Sequence, residues 1–321
     1  MQEIKTDLLI IGAGPGGLNA ALYARRAGLD FEIVENMMAG GQITNTASIE
    51  NYLGFKDDIS GYQLAQNLSE HCRRFDIKVR EYFTVDSIEL VNTKKKDKSY
   101  HFKCIGNEKP IWTNSVIMAT GASPGKLNVK GESGLIGKGI SFCATCDGAL
   151  YRDREVAVAG GGDTAIEEAI FLTKFVKKVY VIHRRNELRA VKILRDRAIN
   201  NKKIEFLWSS VIEGFTGNDR LEEVLVRNKK ENKTYKLKVD GVFEYIGLKP
   251  NSKLVKDLVK LDEKGFIMTN SQMEASLPGI FAVGDVRNTP LRQVITAVAD
   301  GAVAAMYVDK FLSKSAERLP S

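Results

Sequence analysis

The clearest pattern in the chain is a short apolar run that stops at glycines. Leu8-Leu9-Ile10-Ile11 leads straight into Gly12-Ala13-Gly14-Pro15-Gly16-Gly17, which predicts a buried strand, a tight turn and then a helix. Leu18, Ala21, Leu22 and Arg25 follow at i, i+3, i+4 and i+7, and Gly28 ends the predicted helix. A second strand over Phe31 to Val34 ends in Glu35. Gly12, Gly14 and Gly17 match G-x-G-x-x-G, where the first glycine permits the turn, the second admits a pyrophosphate and the third lets helix pack on strand. Glu35 stands where a carboxylate would bind a ribose 2′-OH.

The same pattern returns. Val156 to Ala159 is again an apolar strand, and Gly160, Gly162 and Ala165 repeat the glycine spacing. Ile166, Ala169 and Ile170 repeat the helix, and Val179 to Ile182 the second strand. Aligned without a gap, Gly12 pairs with Gly160 and Glu35 with His183, each 23 residues after its first glycine. The repeat predicts two dinucleotide folds of equal proportions. They are not expected to hold the same ligand. Where the first copy has an acid, the second has His183-Arg184-Arg185 with Arg189 beyond. Guanidinium groups grip a 2′-phosphate that a carboxylate would repel, so the second site is expected to take NADPH rather than NADH.

Between and after the copies the pattern is plainer. Residues 62–75 read as a helix, 79–90 and 99–105 as β-rich, and 116–121 as a strand ending in a glycine turn. Residues 204–246 read as strands with a charged hairpin at 229–233. From Gly247 the texture of the first domain returns, with a short strand ending at Gly284-Asp285 and a long helix opened by Leu291-Arg292-Gln293. An Asp at such a strand end can hold the hydroxyls of a cofactor's sugar-like chain. A helix start beside a flavin favours negative charge developing there.

Composition narrows the class. Apolar residues make up 44% and charged residues 27% of 321 positions, ordinary for a globular protein of about two domains. Four cysteines are too few for a disulfide scaffold, so the C-x-x-C at Cys143-Ala144-Thr145-Cys146-Asp147 points to redox work in a reducing compartment. Zinc is the competing reading of a C-x-x-C. It needs four N or S ligands, and Cys72, Cys104, His71, His101 and His183 are scattered with no second paired motif. No metal is therefore expected, and Cys72 and Cys104 are assigned no chemistry.

The polar N-terminus carries no signal-peptide core, and no apolar run approaches the ~18 residues of a membrane span. A cytoplasmic, soluble protein without membrane contact is expected. Part of the net charge of +7 comes from the lysine run at 94–98, read as a hairpin tip in water. Basic residues interleaved with stacking aromatics are absent, which argues against nucleic acid and for an acidic protein partner.

Taken together, these motifs resemble the low-molecular-weight, bacterial-type thioredoxin reductases over essentially the full length. The residues that carry the resemblance are the first glycine turn, Gly41-Gln42, Ala119-Thr120-Gly121, Cys143 to Gly148, Gly160 to Ala165, His183-Arg184-Arg185 with Arg189, Gly279 to Asp285 and Arg292-Gln293. The resemblance implies an α/β fold of two Rossmann-like (three-layer ββα) domains, the second inserted into the first. It would divide the chain into a discontinuous FAD domain (1–117 and 248–321) and an NADPH domain (118–247) carrying the redox cysteines. It also implies a homodimer, FAD, NADPH, and thioredoxin as the disulfide substrate.

Residue by residue, it assigns FAD to Gly12, Gly14, Pro15, Gly17, Glu35, Gly41, Gln42, Ala119, Gly121, Asp285, Arg292 and Gln293. NADPH falls to Gly160, Gly162, Asp163, Thr164, His183, Arg184, Arg185 and Arg189. Cys146 would face the flavin, Cys143 would attack thioredoxin's disulfide, and Asp147 would protonate a leaving thiolate. A rotation of one domain against the other, with hinges at 121–126 and 245–250, would let nicotinamide and disulfide take turns at the flavin. Two other readings remain open at this point: a related flavoenzyme acting on a different dithiol or disulfide, and a non-catalytic FAD redox sensor.

Overall fold

A computed structural model of the chain describes residues 3–46, 49, 51–91 and 101–317. The lysine run at 94–98 lies outside the described residues. The chain divides into two compact units, one comprising Met1–Thr44, Ser48–Ser123 and Lys249–Ser321, the other Asn45–Ala47 and Pro124–Leu248.

The first unit is built on β1 (Ile4–Ile11), α1 (Pro15–Arg26), β2 (Phe31–Val34), α2 (Gly61–Arg73), β3 (Val79–Arg80), β4 (Val85–Leu90), β5 (Phe102–Gly106) and β6 (Ile111–Met118). Strands β3, β2, β1 and β6 run parallel, while β4 and β5 are antiparallel to their neighbours. Side chains alternate along β1, so Leu8 and Ile10 bury against the α1 face while Leu9 and Ile11 bury in the opposite layer. Each such fully buried Leu or Ile contributes roughly 1.5–3 kcal/mol. The alternation is not visible in the sequence, because both faces are covered and the run is apolar throughout.

The chain leaves this unit through β7 (Ala122–Pro124). The second unit follows with α3 (Glu132–Leu135), β8 (Ile140–Ser141), α4 (Ala144–Asp147), β9 (Glu155–Gly160), α5 (Asp163–Leu172), β10 (Lys178–Ile182), α6 (Lys192–Ile199), β11 (Ile204–Leu207), β12 (Ser210–Thr216), β13 (Glu223–Asn228), β14 (Lys233–Lys238) and β15 (Gly241–Tyr245). Its parallel sheet has the order β11-β10-β9-β15-β8, and β12-β13-β14 form a separate antiparallel meander. The chain returns through β16 (Leu248–Pro250), adds β17 (Ile280–Ala282) beside β6, and ends in α7 (Val294–Glu317).

The register shows the two units to be one plan used twice. Ile11 lies opposite Val34 in the first sheet and Ala159 opposite Ile182 in the second, so Glu35 and His183 occupy the same place next to their glycine turns. On the other flank Met118 lies opposite Ile11, and Tyr245 lies opposite Gly160. Tyr245 therefore stands where Ala119 stands in the first unit.

The division between units falls at Ser123/Pro124 and Leu248/Lys249. A boundary at 117/118 would cut β6, whose last residue is Met118. Asn251 binds residues 118–123 to the first unit. Its amide donates to Thr120 O at 2.8 Å, its backbone N–H to Gly121 O at 3.0 Å, and its side-chain oxygen accepts from Ser123 Oγ at 2.8 Å.

Candidate functional site

In the first unit the glycine turn is held from three sides. Gly12 has φ +106°, and a Cβ there would lie 2.4 Å from Ala119 O, so both conformation and space demand glycine. Gly40 N donates to Ala13 O at 2.8 Å, bringing the Gly40-Gly41 turn onto Gly14. Glu35 accepts from Ala13 N at 2.8 Å through Oε2 and from Met37 N at 3.1 Å through Oε1. The backbone thus aims the carboxylate at the turn and leaves further lone pairs for a sugar hydroxyl. Helix α1 begins at Gly14 and Pro15 with no side-chain cap, and a Cβ on Gly14 would meet nothing nearer than Gly41 Cα at 3.7 Å. An uncapped start at a bare glycine fits a pyrophosphate. Gln42 lies exposed on the short turn Gly41–Asn45.

The C-terminal part of this unit is more tightly tied than its sequence suggests. Burial raises the Asp285 carboxyl above its usual range against the lowering pull of Arg292. Behind it Arg287 and Asp300 form an ion pair at 3.1 Å with both side chains nearly buried, and Asp300 also accepts Gly284 N at 3.1 Å. The Arg292 guanidinium lies 4.0 Å over the Phe266 ring and donates to Arg287 O at 3.3 Å. Gln293 accepts from Asn51 at 3.0 Å. Arg287 and Asp300 escaped sequence reading because their partnership is tertiary.

In the second unit the glycine turn carries a different load. Gly160 has φ +157°, and the His183 ring packs against Gly161, where a Cβ would come within 2.3 Å of it. His183 is buried with its Nε2 unpartnered, and burial holds its pKa below the ordinary imidazole value. It is a neutral group at the floor of the turn, not an additional cation. The cations are Arg184, Arg185 and Arg189, all exposed, with no acid paired to them among the described residues. Arg189 N and Ala190 N both donate to Gly161 O, at 2.7 and 3.2 Å, which folds this loop back over the turn. A Cβ built on Gly162 would lie 3.8 Å from Arg189 Nη2. Gly162 stands at the N-cap of α5 and supplies no side-chain cap. Asp163 is spent on the loop, accepting Val191 N at 2.7 Å, while Thr164 lies exposed beside it. Uncapped N–H groups beside the Arg189 guanidinium, with Arg184 and Arg185 exposed on the loop that follows β10, fit a phosphorylated dinucleotide.

Cys143 and Cys146 form a disulfide on the turn that opens α4, with Cα atoms 5.4 Å apart. Ser141 Oγ accepts Cys143 N at 3.0 Å, Cys146 N donates to Cys143 Sγ at 3.1 Å, and Asp147 N donates to Cys143 O at 3.2 Å. Ala144, fully buried, donates its N–H to the Tyr245 hydroxyl at 2.8 Å. Cys146 is exposed. Sequence reasoning missed two carboxyls of this unit. Glu168 on α5 is pushed up to about 7 by burial and then by Glu167, and Glu244 on β15 to about 8 by burial and then by Glu132. Among the described residues no cluster of His, Cys, Asp and Glu could hold a metal ion.

Two uncapped glycine turns on repeated parallel sheets, one of them sharing its unit with a paired-cysteine disulfide, define a class. Residues 6–301 match the pyridine nucleotide-disulphide oxidoreductase family, and the chain belongs to it. Within that family it is 41% identical over 320 residues to the thioredoxin reductase of Listeria innocua, covering 99% of this chain and 97% of that one. Thioredoxin reductase of Bacillus subtilis is 41% identical over 327 residues, with 99% of each chain covered. The solved structure of Lactococcus lactis thioredoxin reductase superposes with a TM-score of 0.90 at 40% identity, covering 96% of this chain and 99% of that one.

Proposed function

We infer that this chain is an NADPH-dependent thioredoxin-disulfide reductase that works through FAD and the Cys143–Cys146 pair. The observation that carries the reading is the disulfide itself, in the same unit as a glycine turn with the unpaired Arg189 guanidinium beside it. When bound, NADPH and FAD together supply the two electrons that open the S–S bond.

The first turn, with Gly12, Gly14, Pro15, Gly17, Glu35, Gly41, Gln42, Ala119 and Gly121, is assigned to FAD, together with Asp285, Arg292 and Gln293. The second, with Gly160, Gly162, Asp163, Thr164, His183, Arg184, Arg185 and Arg189, is assigned to NADPH. Within that set the three arginines bind charge, while His183 and Asp163 shape the turn and loop that present them. Preference for NADPH over NADH should fall by about tenfold or more in Arg189→Ala, read as the ratio of the two kcat/KM values. Equal use of both nucleotides by the unaltered protein would overturn the assignment.

The dithiol then works by exchange. The Cys143 thiolate attacks one sulfur of thioredoxin's disulfide, and Asp147 supplies the proton taken up by the departing thiolate. Cys146 next attacks Cys143 Sγ, which restores the internal disulfide and releases thioredoxin with two thiols. The partner's disulfide is reduced as the internal pair is oxidised, so electrons balance.

The test is NADPH consumption with purified thioredoxin. Turnover is expected from the unaltered protein and none from Cys143→Ser. A flavoprotein that bleaches with NADPH but never reduces thioredoxin would overturn the reading. No described helix is long and apolar enough to cross a membrane. A cytoplasmic homodimer is the assembly proposed.

A further inference from the structure

The internal repeat contains its own control. Ala119 in the first unit and Tyr245 in the second occupy equivalent places beside their glycine turns, and each backbone carbonyl crowds the first glycine of its turn. Only the second copy carries a long side chain there. The side chain is not needed by the turn, which the first copy builds without it. It reaches instead to the redox loop, where its hydroxyl accepts the N–H of Ala144, the residue directly after Cys143.

We propose that Tyr245 is a positioning residue for the redox pair, holding Ala144 so that the cysteine turn keeps its shape once the disulfide has opened. In the oxidised protein the S–S bond itself closes the turn. In the dithiol form that constraint is gone, and the shape rests on backbone N–H groups of the loop: Cys143 N donates to Ser141 Oγ, Asp147 N to Cys143 O and Ala144 N to the Tyr245 hydroxyl. The shape matters because it keeps Cys146 N aimed at Cys143 Sγ. An N–H directed at sulfur favours the thiolate over the thiol, which makes Cys143 the better nucleophile near neutral pH. The proposal rests on the reading that Cys143 is the attacking sulfur.

The titratable groups packed around this loop are Asp147 on α4, Tyr151 just beyond it, Glu168 on α5 and Tyr245 itself. The two carboxyls, where ionised, oppose a thiolate, so the N–H donor is what counters them. Burial first, then the charges of Glu168 and Asp147, hold the Tyr245 hydroxyl protonated. It acts as a fixed neutral acceptor across the working range.

The experiment uses the full FAD-loaded chain with Cys146→Ser, so that Cys143 is the reactive thiol, with and without Tyr245→Phe. Alkylation by iodoacetamide is followed from about pH 5 to about pH 10. Tyr245→Phe is expected to raise the midpoint by about half to one pH unit and slow alkylation near neutrality by about three- to tenfold, with rates converging at high pH. A purely structural role for Tyr245 would lower the melting temperature and leave the midpoint where it was; superimposable profiles overturn the proposal. Hydrogen exchange in the unaltered protein gives a reading free of variants. The Ala144 amide should stay protected after reduction, and loss of protection on reduction overturns the proposal equally. Failure of the single-thiol protein to form a mixed disulfide with thioredoxin would sink the functional reading instead, whatever the alkylation profiles show.

Discussion

Glu244, near the C-terminal end of β15, is fully buried. Burial and the charge of Glu132 push it up to about 8, well above the value it takes in an unfolded chain. Between those two values the unfolded state has lost a proton that the folded state keeps. Stability therefore declines as pH rises through that window. Glu244→Gln removes the titration while keeping the shape. Its melting temperature relative to the unaltered protein should climb steadily from about pH 5 to about pH 8. A constant difference across that range would show that Glu244 does not hold its proton. Cys72 and Cys104 make the opposite kind of residue, inert by design of the core. Burial pushes their thiols to about 11 and about 12. The oxidised native protein should take up no iodoacetamide at pH ~8, and two equivalents only once the Cys143–Cys146 bond is reduced. Labelling of either buried thiol would contradict their placement.

At the scale of elements, the contact between α1 and α7 decides how the first glycine turn is backed. Gly301 sits in the long helix where a Cβ would come within 2.3 Å of Gly16 O and 2.9 Å of Ala20 N, and Asn19 donates to Val298 O at 2.7 Å alongside. Two terms compete in Gly301→Ala. Helix propensity favours alanine by about 1 kcal/mol, while forcing a methyl against backbone costs roughly 1–3 kcal/mol or more. Overpacking should win, because the atoms it meets are backbone that cannot rotate away. The variant should melt lower by several degrees, and a higher melting point would mean that the helices separate freely. The sequence announced α7 through its apolar spacing but gave no sign that Gly301 is the contact. In the same way it announced the glycine turns but not Gly161, whose bareness is set by the His183 ring lying on it.

At the scale of the molecule, one chain repeats the same parallel strand order, β3-β2-β1-β6 and then β11-β10-β9-β15, and passes between the copies at Ser123/Pro124 and Leu248/Lys249. The strands at those passages, β7 and β16, are short and, among the described residues, pair with each other in a two-stranded sheet. A chemical link that prevents one unit from turning against the other should abolish thioredoxin turnover while leaving either flavin reduction by NADPH or reoxidation through the disulfide intact. Undiminished turnover in the linked protein would remove rotation from the mechanism.

Patterns of local origin could be read from the chain alone. The apolar runs ending in glycine, the equal spacing of Glu35 and His183 from their turns, the arginines after the second strand and the cysteine pair all lie within short stretches. Each owes its meaning to backbone geometry that neighbouring residues impose on one another. What the chain alone did not disclose lies between distant segments. His183 is neutral because the fold buries it, Asp300 holds Arg287 because α7 packs near it, and Tyr245 meets Ala144 from the neighbouring strand. Burial and partnership are set by the path of the whole chain, and no window of sequence contains them.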